Sequence, residues 1–212
     1  MNIIVTDTSD QAFRYAASMI ADRIRSFPTT VLGLATGRTM ESIYRLLVQQ
    51  HDGGALDFSG TTSFNLDEYV GLGAADPNSY RHYMREHLFA HVNMSAERAH
   101  VPDGVAADLA AECARYEAAI RASGGIDLQL LGIGETGHIG FNEPPSAFDS
   151  RTRVVDLDEV TRRQNSAMFS GDPERVPERA LTMGVGTILE ARHLLLVAVG
   201  EGKAAIINEA LN

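Results

Sequence analysis

The sequence predicts an α/β domain, with a mostly parallel sheet buried on both faces by helices. Two observations lead there. Short apolar runs alternate along the chain with longer segments of helical periodicity, the order in which strand–helix–strand units are built. The runs are also apolar at most positions, not at every second one, which suits strands covered on both sides.

Taken in order, strands are expected at Asn2–Val5, Val31–Ala35, Thr62–Leu66, Ile126–Leu131, Arg153–Leu157 and His193–Val199. Helical patterns fill the intervals at Gln11–Arg25, Met40–Gln50, Ser79–Phe89, Ala106–Ala122 and Glu159–Phe169. Another covers Val185–Ala191, and a last one runs from Gly202 to the end. Right-handed crossovers bring the loops at the carboxyl ends of parallel strands to one edge of the sheet. Open α/β sheets hold their ligands at that edge.

Composition narrows the class. The 212 residues suffice for one such domain, and 44% hydrophobic with 22% charged residues is ordinary for a globular protein. No apolar run is long enough to cross a bilayer, and Met1-Asn2-Ile3-Ile4-Val5 leads directly into a strand, not a signal peptide. The single cysteine, Cys113, has no partner for an internal disulfide and fits a reducing cytoplasm. A formal net charge of −10 counts against nucleic acid or an anionic membrane as partner. A small phosphorylated substrate stays open, because the local field decides that.

Three strand-end loops carry the chemistry. The run Ile126–Leu131 ends in Gly132–Pro145, GIGETGHIGFNEPP, which presents one histidine, His138, and one carboxylate, Glu143. Its glycines at 132, 134 and 137 match G-x-G-x-x-G. A dinucleotide site needs a helix to open from those glycines, however, and HIGFNEPP is a poor helix start, so that reading is rejected. Thr62–Tyr69, TSFNLDEY, reads as a strand ending in the acidic pair Asp67-Glu68, of which Glu68 is expected to be a solvated turn residue. With His138 and Glu143, Asp67 makes an acid–base constellation. In the third loop, Thr36-Gly37-Arg38-Thr39 turns from the strand Val31–Ala35 into a helix. Backbone N–H groups, two hydroxyls and a guanidinium there suit a phosphate. His87 and His91, four apart on a predicted helix, lack a third ligand and read as surface residues, and Arg162 and Arg163 as a solvated helix face.

Together these segments resemble the glucosamine-6-phosphate deaminase family. Its motifs occur in order as LGLATG with Thr39, SFNLDEYVGL, GIGETGHIGFNEP, SRTR at Ser150–Arg153, and LTMGVGTILEA followed by Gly202-Lys203. The resemblance implies a Rossmann-like three-layer αβα fold over residues 1–212 as a single sugar-phosphate deaminase/isomerase domain. Family members usually continue for a further strand-bearing segment, so the chain is expected to lack the usual C-terminal strand. Asp67 is implied as the group moving a proton between C1 and C2 of the open-chain sugar, His138 as the group that opens the pyranose ring, and Glu143 as its orienting partner. Thr136 joins this catalytic set where the family usually has Asp or Asn, and slower ring opening is expected from the change. Thr36, Gly37, Arg38, Thr39 and Lys203 are implied at the substrate phosphate. Ala167 stands where an arginine usually meets that phosphate, and Arg38 is the expected replacement. Ser146 and Arg153 match a regulatory site for an acetylated sugar phosphate, but Val155 replaces its lysine.

The implied reaction converts glucosamine 6-phosphate and water to fructose 6-phosphate and ammonia, in the cytoplasm, as part of amino-sugar catabolism. It calls for no metal and no organic cofactor. The partner is a small-molecule sugar phosphate, and the oligomeric state is open from monomer to homo-oligomer. The alternatives are another sugar phosphate such as galactosamine 6-phosphate, a 6-phosphogluconolactonase-like hydrolase, and a weakly active sugar-phosphate sensor.

Overall fold

The computed structural model describes residues 1–134 and 136–211. Glu135, in the glycine-rich loop, and Asn212, at the end of the last predicted helix, lie outside the described residues. In chain order the elements are α1 (Ser9–Ser26), β1 (Val31–Leu34), α2 (Arg38–Asp52), β2 (Thr62–Asn65), β3 (Asp67–Tyr69), α3 (Tyr80–His87), β4 (Ala99–His100) and α4 (Leu109–Ala122). Then follow β5 (Leu128–Leu131), β6 (Arg153–Asp156), α5 (Glu159–Asn165), β7 (Arg179–Thr182), α6 (Val185–Leu189), β8 (Leu194–Leu196) and α7 (Ala204–Leu211), with short 3₁₀ turns between some of them.

Local chemistry starts these helices. Thr8 and Gln11 exchange side-chain and backbone bonds at the head of α1, a capping box. Asp108 and Asp158 accept N–H groups at the heads of α4 and α5. The stripe Ala16, Ile20, Ala21 and Ile24 of α1 packs near α2, which buries Met40, Ile43, Tyr44 and Leu47. Each large apolar side chain so buried contributes roughly 1.5–3 kcal/mol before the entropy of ordering it is subtracted.

The main sheet is wholly parallel, in the order β4-β2-β1-β5-β8, and β1, β2 and β5 are buried at every position. A second, antiparallel sheet has the order β3-β7-β6 and sets Asp67 opposite Thr182, and Thr182 opposite Arg153. An aromatic cluster of Tyr69, Tyr80, Phe141 and Phe169 packs with it. None of the described helices is long and apolar enough to cross a membrane.

Three expectations are corrected. Asn2–Val5 is not a strand; Ile3, Ile4 and Val5 are exposed, and among the described residues no strand pairs with their backbone. The segment TSFNLDEY is not one strand. Leu66 is its joint: its N–H donates to Leu34 in the first sheet, while its carbonyl accepts from Met183 beside the second. The chain thus changes sheets just before Asp67. Arg153–Asp156 is a strand as expected, but it lies in the antiparallel sheet, where β7 supplies its ladder.

Candidate active site

The carboxyl ends of β1, β2, β5 and β8 feed loops that meet around one cleft of about 320 Å³, in the size range of small-molecule sites. Thr36, Gly37, Arg38, Thr39 and Lys203 are among its lining residues. Gly37 caps α2 and has no side chain to compete for the N–H groups of the first turn. Tyr83 Oη fixes this turn from α3 by donating to the Gly37 carbonyl at 2.8 Å.

Asp67 lines the cleft at the sheet joint and is 6% exposed. Burial, and then the neighbouring Glu68 charge, push its carboxyl from 3.8 up to about 8. Gly140 leaves room for it: the backbone there has φ +60°, and a Cβ would stand 3.3 Å from Asp67 Oδ2. Glu68 is not the solvated turn residue expected from sequence. At 2% exposed it accepts the N–H groups of Tyr69 and Tyr80 on Oε1 and of Arg81 on Oε2, each at 2.9 Å. It therefore anchors the start of α3 to the strand that carries Asp67. Burial raises its own carboxyl, and the three N–H bonds oppose that rise.

His138 also lines the cleft, and its imidazole lies so close over Gly134 that a Cβ there would sit 2.1 Å from Nε2. Behind the ring, Nδ1 is 2.8 Å from Glu143 Oε1 and 2.8 Å from Thr136 Oγ1. Thr136 donates to Glu143 Oε2 at 2.9 Å, and Thr161 of α5 donates to Oε1 at 2.6 Å. Both hydroxyl protons are thus committed to the carboxylate. The network then assigns the ring proton to Nδ1, facing Glu143, and leaves Nε2 an acceptor. Glu143 and Thr136 are not on the cleft wall; they stand behind His138.

The loop bearing these groups is tied down from below. Asn142 donates to the carbonyls of Ile139 and Met183 and accepts from Arg153 Nη1, while Arg153 Nη2 reaches Ser146 Oγ at 3.0 Å. Ser146 in turn donates to the Glu143 carbonyl. The pair matched to a regulatory site is therefore bonded internally in this structure.

The structure adds cleft residues that the sequence reading missed. Tyr80 and Phe141 come from the aromatic cluster, and Asn165 and Met168 from α5 and the 3₁₀ turn after it. Ala167 stands exposed between those two. Arg162 is not on a solvated face; its guanidinium donates to the carbonyls of Val176 and Glu174, and its side chain is 13% exposed. His91 points its Nε2 at the Glu86 carbonyl, and among the described residues no group of three or more His, Cys, Asp or Glu could hold a metal.

Comparison with known proteins agrees with this geometry. A family model described as glucosamine-6-phosphate isomerases/6-phosphogluconolactonase matches residues 5–212. Glucosamine-6-phosphate deaminase of Rhodopirellula baltica is 51% identical over 211 residues, covering 100% of this chain and 84% of that protein. A solved monomeric glucosamine-6-phosphate deaminase superposes with a TM-score of 0.96 at 45% identity, over 100% of this chain and 87% of the other. The 6-phosphogluconolactonase of Thermotoga maritima shares the fold at a TM-score of 0.75 and 18% identity, over 99% of this chain and 88% of that one. By sequence and fold, this chain belongs to the glucosamine-6-phosphate isomerase/6-phosphogluconolactonase family.

Proposed function

We infer that the chain converts glucosamine 6-phosphate to fructose 6-phosphate and ammonia by aldose–ketose isomerisation with deamination. The observation that carries this reading is one cleft lined by two unlike sets of groups. One set is the buried Asp67, its carboxyl pushed up to about 8, and His138 backed by Glu143; the other is a helix N-terminus with Arg38 and Lys203.

In this reading the phosphate sits at Thr36–Thr39, held by N–H groups, hydroxyls, Arg38 and Lys203. Nε2 of His138 relays the anomeric hydroxyl proton to the ring oxygen, which opens the pyranose. As it does so, the Nδ1–H bond to Glu143 stabilises the transient imidazolium. Asp67 as carboxylate takes the C2 proton, acidified by the C1 carbonyl, and returns it to C1, while a proton of the C2 amino group passes to the C1 oxygen and leaves a C1 hydroxyl. The resulting C2 imine adds water and releases ammonia. Thr136 holds Glu143 with a hydroxyl, and Arg38 serves where Ala167 offers no cation. Residues 1–212 act as one catalytic domain, in the cytoplasm; activity recovered outside that compartment on fractionation contradicts the location.

The test is release of ammonia and fructose 6-phosphate from glucosamine 6-phosphate, with Asp67→Asn alongside. Release by the wild type and collapse in the variant support the reading. Absence of release from folded wild type that still binds the sugar phosphate sinks it.

A further inference from the structure

Thr161 is 2% exposed and sits in the first turn of α5, where its N–H donates to the capping Asp158 at 2.7 Å. A buried threonine hydroxyl in a helix commonly turns back on a carbonyl of its own chain one turn earlier. This one instead crosses to Glu143, 18 residues earlier, at 2.6 Å. The carbonyl of the same residue accepts from Asn165 Nδ2 at 3.1 Å, and Asn165 lines the cleft. Thr161 thus links the cleft wall at Asn165, through its carbonyl, to Glu143 and His138, through its hydroxyl.

We propose that Thr161 is a positioning residue that fixes the Glu143 carboxylate behind His138 and ties that pair to the α5 wall of the cleft. Glu143 Oε1 has to face His138 Nδ1 while Oε2 takes the Thr136 hydroxyl. Thr161 adds a donor on Oε1 from a separate element, so the carboxylate is held from two sides and its rotation is blocked. Without that donor the carboxylate turns on Thr136 alone, the Nδ1–H loses the fixed charged acceptor that stands beside the Thr136 hydroxyl, and Nε2 no longer stays a pure acceptor. The proposal rests on the deaminase reading, in which Nε2 opens the ring.

The experiment compares Thr161→Val, which keeps the shape and removes the donor, with Thr161→Ser, which keeps the donor. Valine is expected to lower kcat roughly ten- to a hundredfold with KM within about twofold, the size of losing a hydrogen bond to a charged group. Serine is expected to restore kcat to within about threefold of wild type, as it keeps that bond. Nitrogen NMR of the His138 ring gives a readout that needs no turnover: one Nδ1–H tautomer in wild type and Thr161→Ser, a mixture in Thr161→Val. If valine does not fold, Thr161→Cys supplies a weak donor of similar shape and is expected to fall between the two. Unchanged kcat and tautomer in a folded donor-free variant overturn the proposal, as does serine failing as badly as valine. If the wild type itself releases no product, the deaminase reading fails, while the tautomer comparison still decides the role of Thr161.

Discussion

The two sets of groups that line the cleft are built on opposite physical plans. At Thr36–Thr39, Arg38 is exposed and the N–H groups of a helix turn meet a cleft open to solvent. Attraction there is shared among several donors and screened by water, so losing one weakens binding by degrees. At Asp67 and His138 the carboxylates are buried or bonded from several sides. Losing one group there removes a step. In the proposed reaction, the contrast separates holding the substrate from transforming it.

The largest break in that contrast is expected from Asp67→Asn, which removes the base while keeping the shape. Turnover should fall by roughly a thousandfold or more, measured as fructose 6-phosphate release. Glu143→Gln comes next. It replaces one acceptor oxygen with a donor that faces the His138 N–H or the Thr136 hydroxyl, and kcat should drop about a hundredfold with KM little changed.

The same burial that suits Asp67 to proton transfer costs stability, and the sign can be checked. Its folded value near 8 lies above the ordinary 3.8. Between those values the folded chain holds a proton that the unfolded chain has released, so the stability tied to Asp67 falls as pH rises through that window. Asp67→Asn should therefore raise Tm by a few degrees above about pH 8 and change it little below 3.8. Equal Tm values at the alkaline end would contradict this burial cost.

Much of the Thr36–Thr39 set was legible in the sequence. The turn from Val31–Leu34 into α2 is local, because strand, glycine and helix follow one another within a few residues. Asp67, His138 and Glu143 could be picked out as chemistry-bearing residues on strand-end loops. Their surroundings could not, because the partners are distant. Glu68 is bonded to N–H groups 12 and 13 residues on, Thr161 reaches back 18 residues, and Asp67 pairs in a ladder with Thr182. No local pattern signals that a strand will change sheets at Leu66. Asn2–Val5 failed for the converse reason: its pattern is that of a strand, but among the described residues the ladder it needs is absent beside it.

Smaller effects sharpen the comparison. Glu68→Gln removes the charge next to Asp67, so the rise of kcat/KM with pH should move to lower pH, because a like charge disfavours ionisation of its neighbour. An unmoved profile would show that Asp67 does not sense Glu68. Arg38→Ala should raise KM for the sugar phosphate about five- to tenfold and leave kcat within about twofold.

The most direct test of this division of labour is to measure Kd for glucosamine 6-phosphate and kcat together in Asp67→Asn and Arg38→Ala. The account predicts a crossed result: Asp67→Asn keeps Kd and loses kcat, while Arg38→Ala weakens Kd and keeps kcat. If both quantities fall together in either variant, holding and transforming the substrate are not separated along this cleft, and the account is wrong.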